Sequence, residues 1–486
     1  SEFTHGPLTS MEATVELEPS TPDITRLLDT DTIAAVATAA GMGGIGIIRL
    51  SGSSSLTIAE QLSGKPLTPR QAHYRKLYAG AGGSKQLLDS GIALFFPAPN
   101  SFTGEDVVEL QIHGGPIVLD SVLSEAIRLG ARQARAGEFS ERAFLNDKID
   151  LVQAEAIADL INSGSEQEAR GALKSLHGEF SSLLNELADQ LMRVRIFVEA
   201  ALDFPEEEID FLNDQQLHTS LEHLKTTLSN AVKTTRQGTL LKEGISVAIA
   251  GRPNAGKSSL LNALAGTDAA IVTDIAGTTR DVLRQHIHID GLAIHLIDTA
   301  GLRSTTNAIE REGIKRAGAE FDKADLILLI VDAQTVTANS EEATVQSLWP
   351  GERPSDVTLA RTLIIYNKID LLSAEKANAL QKLTEHCAIS AKTGAGTNQL
   401  RTTIKKHVGY SGTEASPFTA RRRHLDALRK ALALIEQGHQ QLKSTGAGEL
   451  LAEDLRQAQY CLDDITGKVS SDALLGEIFS NFCIGK

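Results

Sequence analysis

The chain has 486 residues, of which 42% are hydrophobic, and its formal net charge is −15 at pH 7. This length suffices for about three domains, and no apolar run reaches the roughly 18 residues that a membrane-spanning helix requires. The acidic balance disfavours simple nucleic-acid binding, because phosphate contacts favour a basic surface, and three cysteines far apart in sequence suit a reducing cytoplasm better than a disulfide framework.

Four short β-like runs alternate with helical segments in the first part of the chain, at Ile33–Thr38, Ile45–Leu50, Gly91–Phe96 and Val107–Ile112. This alternation predicts an α/β domain, which we place at residues 11–145. Residues 41–46 formally match the Gly-x-Gly-x-x-Gly of dinucleotide-binding folds. The residues after them continue as a strand and do not open a helix, so the context argues against dinucleotide binding.

Apolar residues recur at spacings of three and four over Leu173–Val198. This periodicity predicts one long amphipathic helix that packs in a bundle. A similar pattern returns from about Arg421 to Phe482. We therefore expect a helical domain in two halves, residues 146–243 and 409–486, with another domain inserted between them at 244–408.

Two charged segments belong to this helical part. Arg421–His424 is a basic run at the start of the second helical pattern, and we expect a solvated helix start rather than a nucleic-acid contact. Asp203–Asp210 places five carboxylates in eight residues around a proline. A solvated turn between helices is favoured there over a metal site or a docking segment.

A phosphate-binding loop is predicted where an apolar run breaks into Gly-x-x-x-x-Gly-Lys-Ser before an amphipathic helix. Gly251 and Gly256 allow successive backbone N–H groups to point at phosphate oxygens. Lys257 is expected to reach the outer phosphates, and Ser258 offers a hydroxyl ligand to Mg²⁺. The helix that follows directs its N-terminal dipole at the anion.

The apolar run Leu292–Ile297 predicts a second strand, which ends in Asp298-Thr-Ala-Gly301. Asp298 can hold Mg²⁺ through water, and Gly301 can offer its N–H to the terminal phosphate. In Ras-like enzymes a glutamine after this motif orients the attacking water. Here that position is Leu302, so another group must do so, or hydrolysis is slow.

A third strand, Leu363–Tyr366, leads into Asn367-Lys-Ile-Asp370. The carboxylate of Asp370 can accept hydrogen bonds from the ring N–H and the exocyclic amine of guanine, whereas adenine has no matching donors. Ser390–Lys392 fits the loop behind the base. Because each motif follows its own strand, the set predicts a GTPase.

The segment Thr273–Asp281 lies between the two metal-binding motifs and is rich in hydroxyl groups. With Gly277 as a hinge it suits a loop that closes over the γ-phosphate. Thr279 is expected to be the second Mg²⁺ ligand. Arg280 is either a charge that acts in catalysis or a surface salt bridge, and the second is favoured.

These motifs resemble those of the potassium-activated GTPases of the MnmE (TrmE) family. The resemblance rests on Asn254, on the 273–281 loop and on Asp298–Leu302, and it extends to three segments outside the GTPase motifs, namely Asn100–Asp106, Gly137–Lys148 and Phe482–Lys486. It covers the chain from about Ile33 to Lys486. The family implies an N-terminal α/β folate-binding domain, a helical-bundle domain and an inserted Ras-like P-loop GTPase domain, that is, an α/β + α fold.

The resemblance also implies a nucleotide and cation site. K⁺ would be held by Asn254, Thr273, Ile275 and Thr278. The catalytic set would be Glu310, Thr279 and Gly301, with Glu310 orienting water across a dimer of GTPase domains, although the charged cluster around Glu310 by itself indicates a solvated helix face. The residues expected to contact GTP or GDP are Asn254, Ala255, Gly256, Lys257, Ser258, Ser259, Thr273, Asp274, Ile275, Ala276, Gly277, Thr278, Thr279, Asp298, Thr299, Ala300, Gly301, Asn367, Lys368, Asp370, Ser390, Ala391 and Lys392.

For the N-terminal domain the resemblance implies a reduced folate, formyl- or methylene-tetrahydrofolate. Its contacts would be Arg49, Glu109, Lys148 and Lys486, since Arg and Lys can pair with the folate carboxylates and a carboxylate suits the pterin edge. Cys483 is either a nucleophile, a thiol lining this site or a small hydrophobic residue.

The family function is the addition of an aminomethyl or carboxymethylaminomethyl group to the five-position carbon of the wobble uridine of certain tRNAs. The implied partners are a second copy of the chain, tRNA, and the flavin- and NADH-using protein MnmG (GidA) in a heterotetramer-type complex. Two alternatives stay open: a regulatory GTPase of ribosome assembly, and a folate-dependent transferase that uses its GTPase domain as an assembly switch.

Overall fold

The structure is a computed structural model that describes residues 31–80, 85–203, 215–265, 284–297, 321, 323–335, 349, 355–381, 386–412 and 418–485. The chain divides into two compact units, Ser1–Lys148 with Ser480–Lys486, and Ile149–Phe479. No helix among the described residues is long and apolar enough to cross a membrane.

The first unit is a six-stranded sheet with helices. Its elements are β1 (Ile33–Val36), β2 (Gly43–Ser51), α1 (Ser55–Ser63), β3 (His73–Ala79), β4 (Gln86–Phe96), β5 (Val107–Gly114), α2 (Pro116–Arg128), β6 (Arg132–Gln133) and α3 (Glu138–Leu145). The strand order is β3-β4-β5-β2-β1-β6. Neighbouring strands are antiparallel except β1 and β6, which run parallel. One face carries a core that α1 and α2 cover, built on Ile48, Leu50 and Leu110.

The predicted α/β character of this unit is confirmed, and so is the continuation of the glycine-rich segment as a strand, because β2 begins at Gly43. Strand β3 was not predicted; the charged and aromatic residues of His73–Ala79 hide its alternation, and only Leu77 is buried. The tail from Ser480 lies in this unit, which differs from the expected helical range 409–486. Its Ile484 forms an antiparallel β-bridge with Ala136.

The second unit contains a helical bundle and a second sheet. The bundle helices are α4 (Leu151–Asn162), α5 (Glu166–Leu176), α6 (Glu179–Asp203) and α7 (Gln215–Glu243) before the sheet. After the sheet come α12 (Arg422–Thr445), α13 (Gly448–Thr466) and α14 (Asp472–Ser480). One apolar core holds residues from both sets, for example Leu187 and Leu228 with Ile435 and Leu455.

The predicted single helix over Leu173–Val198 is wrong in one respect, because it is two helices. The chain breaks at His177–Gly178, where Gly178 has a φ of +86°, a left-handed conformation that glycine adopts readily. Spacings of three and four continue across the break, so periodicity alone could not reveal it. Leu173, which was expected in the core, is exposed.

The second sheet is formed by the sequence between the two helical sets. Its elements are β7 (Ile245–Gly251), α8 (Lys257–Ala265), β8 (Arg284–Ile289), β9 (Leu292–Ile297), β10 (Leu326–Asp332), α9 (Asp356–Ala360), β11 (Thr362–Asn367), α10 (Ala374–Gln381), β12 (Cys387–Ala388) and α11 (Thr397–Val408). The strand order is β12-β11-β10-β7-β9-β8, with only β8 antiparallel to its neighbour. All the parallel strands therefore end at one edge, where ligands of α/β sheets bind.

The basic run Arg421–His424 begins a helix as predicted, and Arg422 is solvated, with its side chain 67% exposed. The expectation of a solvated start is wrong for Arg421, Arg423 and His424, which contact carboxylates on α4. Arg423 contacts the Oε1 and Oε2 atoms of Glu155 on α4 at 2.9 and 2.8 Å, and His424 Nε2 lies 2.9 Å from Oε2. Arg421 donates to Asp159 at 2.7 Å. Glu155 and His424 are each 2% exposed, so this is a buried ion-pair cluster that holds the start of α12 on α4.

The protonation states in this cluster follow from its contacts. Burial and the nearby arginines lower the pKa of His424 to about 4, so the ring is neutral at pH 7. Its Nδ1 accepts from Arg421 N–H at 3.1 Å, which leaves the Nε2 hydrogen to be donated to Glu155. Burial would raise the pKa of Glu155, but contacts with His424 and Arg423 lower it, so the carboxylate is ionised.

Candidate functional site

The predicted phosphate loop joins the end of β7 to α8. Gly251 and Gly256 have φ values of +149° and +99°, and Asn254 also has a positive φ, +64°. A Cβ on Gly251 would lie 2.4 Å from the Ile330 carbonyl oxygen, so glycine is required there. The Nζ of Lys257 donates to the carbonyl oxygens of Gly251 and Arg252 at 2.8 and 2.9 Å, which places its ammonium inside the loop.

Asn367, at the end of β11, ties this loop to the 390–391 segment. Its Nδ2 donates to the Ala255 carbonyl oxygen at 3.0 Å, and its Oδ1 accepts from Ala391 N–H at 3.0 Å. The side chain is buried, and a Cβ on Gly256 would lie 2.2 Å from Nδ2. One amide therefore uses its donor and its acceptor to hold two nucleotide-binding motifs together.

Asp370 follows one turn later and lies at the surface. Its Oδ1 accepts a hydrogen bond from Ser390 Oγ at 2.6 Å, and Ser390 Oγ in turn accepts from Thr393 N–H at 3.2 Å. Among the residues that the structure describes, Oδ2 of Asp370 has no hydrogen-bond partner. The carboxylate is therefore oriented from one side and open on the other, as recognition of a base edge requires.

The other described members of the nucleotide set lie on the same loops. Ser258 and Ser259 are exposed in the first turn of α8, Lys368 follows Asn367, and Lys392 is exposed after Ala391. The predicted site residues Thr273–Thr279, Asp298–Gly301 and Glu310 lie outside the part of the chain that the structure describes. The structure thus brings together the phosphate loop, the Asn367–Asp370 turn and the 390–392 loop.

The described metal-ligand candidates fit their ions by donor type. The Ser258 hydroxyl and the Asn254 amide oxygen are hard oxygen donors, the kind that Mg²⁺ and K⁺ accept. Both side chains are exposed at the loop. In the described part of the chain there is no group of three or more His, Cys, Asp or Glu that could hold a metal ion, so protein carboxylates and imidazoles there do not form a closed site.

The first unit places two of the predicted folate residues in contact. Arg49 and Glu109 face each other on β2 and β5, and Arg49 donates to Glu109 Oε1 at 2.9 and 3.0 Å. The guanidinium carbon lies 5.6 and 5.7 Å from the ring centroids of Phe102 and Phe139. The Glu109 carboxylate is thus paired within the protein and is 18% exposed.

Lys148 lies against the loop that carries Phe102. Its Nζ donates to the Pro99 carbonyl oxygen at 2.9 Å, and its aliphatic part approaches Gly104. Lys486 lies outside the described residues, but Gly485 next to it contacts the Val36–Ala37 backbone at the end of β1, the strand that pairs with the one carrying Arg49. Cys483 is exposed and free, and its carbonyl oxygen accepts from Gly137 N–H at 3.4 Å.

Sequence reasoning missed several residues at these sites. Phe102 and Phe139 lie inside segments that carried the family resemblance, but no spacing rule relates them to Arg49. Asp332, which pairs with Lys368 at 2.7 Å, lies at the end of an apolar strand as Asp298 does in the sequence. An acidic residue at the carboxyl end of a buried strand was the signal that could have identified Asp332 as part of the site.

Comparison with known proteins identifies the family. The family model "MnmE helical domain" matches residues 151–483, and "GTP-binding protein TrmE N-terminus" matches residues 32–148. The protein named tRNA modification GTPase MnmE of Pseudomonas paraeruginosa is 56% identical over 462 residues, 94% of this chain and 99% of that protein. The same-named protein of Chromohalobacter salexigens is 54% identical over 467 residues, 95% of this chain and 99% of that protein.

Among solved structures, an Era variant of Aquifex aeolicus bound to GDP·AlF4⁻ is 27% identical and covers 39% of this chain and 66% of its own, with a TM-score of 0.24. The two family models together match nearly all the described residues, and the curated relatives are matched over almost their full length. The chain belongs to the MnmE (TrmE) family.

Proposed function

We propose that this chain hydrolyses GTP as part of the modification of the wobble uridine of tRNA. The observation that carries the proposal is the side chain of Asn367, which holds the phosphate loop and the loop behind the base together while Asp370 stands open beside Ser390. The family relatives named above, which carry tRNA modification in their name, supply the context for that GTPase.

The phosphate loop and the start of α8 would hold the phosphates. The N-terminal dipole of α8 and the loop N–H groups favour an anion. Lys257 already lies in the loop on the carbonyl oxygens of Gly251 and Arg252, and a short movement of its ammonium would bring it onto the outer phosphates.

Asp370 would select guanine. Its carboxylate can accept from the ring N–H and the exocyclic amine, whereas adenine would leave the charge without a donor. The hydrogen bond from Ser390 orients it before the base arrives, so little side-chain entropy is lost on binding.

Cations would complete hydrolysis. Mg²⁺ would be held by Ser258 and Thr279, and it would supply positive charge that stabilises the transferring phosphate. K⁺ would be held by Asn254 together with Thr273, Ile275 and Thr278, and Glu310 would orient water across a dimer of GTPase domains. Asn254 supports this assignment because it is exposed in the loop with its backbone in the left-handed region.

A reduced folate would bind in the first unit. Phe102, which is 37% exposed beside Arg49, provides an aromatic face for a flat pterin ring, while the buried Phe139 supports the Arg49 guanidinium from within the unit. Arg49 and Lys148 would pair with the ligand's carboxylates. Glu109 would give up one of its hydrogen bonds from Arg49 and accept one from the edge of the pterin ring instead. Lys486 would complete the site. Cys483 would line it as an exposed thiol.

The redox part of the modification would be performed by the flavoprotein MnmG (GidA) in a heterotetramer-type complex with a homodimer of this chain, in the cytoplasm. The net charge of −15 supports the need for a partner, because an acidic chain that acts on tRNA relies on a basic partner for much of its affinity.

The test uses the full-length chain and its Asp370→Asn variant. Asparagine offers a donor where xanthine has a carbonyl, so the variant is expected to lose GTP binding and gain xanthosine triphosphate binding, while the wild type binds GTP in preference to ATP. In a strain that lacks the protein, wobble-nucleoside analysis is expected to show unmodified uridine. Expression of the wild type, but not of the Asp370→Asn variant, is expected to restore the modification. Unchanged modification with defective ribosomal subunits would support the ribosome-assembly alternative instead.

A further inference from the structure

Asp332, at the end of β10, contacts the Asn367–Asp370 turn, which carries the residue proposed to bind guanine, but is not part of that turn. Its Oδ2 accepts a hydrogen bond from Lys368 Nζ at 2.7 Å, and its Oδ1 accepts from Gln334 N–H at 3.0 Å. Burial would raise the pKa of the Asp332 carboxyl, but these hydrogen bonds outweigh burial and lower it. The carboxylate is therefore ionised at pH 7 and forms a charge-assisted bond, which is stronger than a neutral one.

Lys368 has a backbone conformation that needs such support. Its φ is +69°, in the left-handed region that residues other than glycine seldom adopt. Such conformations persist where surrounding contacts hold them. On its amino side Asn367 is bonded to two loops, and on its carboxyl side Ile369 N–H donates to the Ile389 carbonyl oxygen at 3.2 Å.

The location of the pair relates it to the ligand. Asp332 and Asn367 are register partners at the carboxyl ends of β10 and β11, the edge where the phosphate loop also lies. The side chains of Asp332 and Lys368 are 21% and 29% exposed, so solvent screens the pair only in part.

We propose that Asp332 is a positioning residue for guanine recognition: by pairing with Lys368 it fixes the turn that carries Asp370 to the base. Asp332 itself does not touch the nucleotide in this scheme. The inference rests on the proposed function, because it takes guanine as the base that Asp370 reads.

The test compares GDP with IDP, which lacks the exocyclic amine and so can form only one of the two hydrogen bonds to Asp370. Asp332→Asn keeps the size of the side chain and an acceptor for Gln334, and it removes the charge. We expect its affinity for GDP to fall roughly tenfold and its affinity for IDP to fall less, because GDP loses two misaligned hydrogen bonds and IDP one. The GDP-to-IDP affinity ratio is therefore expected to decrease.

A matched control lies in the same sheet. Asp290, like Asp332, forms an ion pair with a lysine, Lys405, and like Lys368 it has a left-handed φ, +51°. It lies in the β8–β9 turn, at the edge of the sheet opposite to the one where the parallel strands end. Asp290→Asn is expected to leave both affinities unchanged. The double variant Lys368→Gln with Asp332→Asn tests whether Asp332 acts through Lys368. If it does, the GDP-to-IDP affinity ratio of the double variant should be no lower than that of the more strongly affected single variant.

The outcomes separate the two hypotheses. If the wild type binds GDP, IDP and ADP equally well, guanine recognition by Asp370 is wrong and the proposed function fails. If the wild type prefers GDP but Asp332→Asn keeps the wild-type ratio, only the positioning role is overturned. An equal weakening of GDP, IDP and ADP together with a lowered melting temperature also overturns it, because that is the signature of a purely structural residue.

Discussion

The buried cluster at the start of α12 allows a stability prediction. Glu155→Gln preserves the shape of the side chain but removes the charge that pairs with Arg423 and accepts from His424. Glu155 is 2% exposed and Arg423 24%, so water cannot replace the lost partner fully. Removing one member of a buried pair costs about 3–5 kcal/mol, and we expect about 3 kcal/mol because Gln retains one acceptor.

Urea unfolding followed by far-ultraviolet circular dichroism measures this change. With a slope of about 3 kcal/mol per M, the transition that includes the helical bundle should shift by about 1 M. The control is Glu166→Gln, which removes an ion pair with Arg170 whose side chains are 72% and 74% exposed; such a pair contributes about 0.5 kcal/mol.

Two results would refute the reasoning. The first is a shift for Glu155→Gln no larger than that of the control. The second comes from the double variant with Arg423→Gln. Most of the cost should arise from the unpaired guanidinium, so the double variant should lose less than the sum of the two single variants. Strict additivity would show that the two residues are not energetically coupled.

Three further predictions concern other sites. His424 has a pKa of about 4 in the folded chain and its ordinary value of 6.5 in the unfolded chain, so between pH 6.5 and pH 4 only the unfolded chain binds this proton. The free energy of unfolding should therefore fall by about 3 kcal/mol over that window, and His424→Gln should flatten the dependence; parallel urea-midpoint curves would contradict this. Gly256→Ala should weaken GDP binding at least tenfold in titration, because its Cβ would meet a side-chain amide at 2.2 Å, while Gly446→Ala, with open space, should not. Gly485→Ala would meet a β1 carbonyl at 2.2 Å and should weaken folate binding in calorimetry, unlike Gly130→Ala; equal affinities would exclude a role for the tail.

The phosphate loop and the guanine motif could be predicted because their chemistry depends on residues close together in the chain. The strand before the loop and the helix after it are local too, and both were found where expected. The same is true of the turn at Asn367–Asp370, which follows a buried apolar strand.

The contacts that support these motifs could not be predicted, because they join distant parts of the sequence. Nothing in the pattern around Arg423 indicates a buried partner on α4, and a basic run at a helix start is ordinarily solvated. Asn367 was expected near the base, but its bonds to Ala255 and Ala391 depend on how three loops meet. Periodicity reports which face is apolar and not where a helix ends, which is why the break at Gly178 was missed.

The β-bridge between Ala136 and Ile484 has a consequence for biosynthesis. A nascent chain emerges from the ribosome amino-terminus first, so β1 and α3 are made long before the segment that completes this edge of their unit. All of Ile149–Phe479 must be translated before Ile484 is available. A translation product that stops before residue 484 would therefore lack this bridge, so the first unit can be completed only after the second unit has been synthesised.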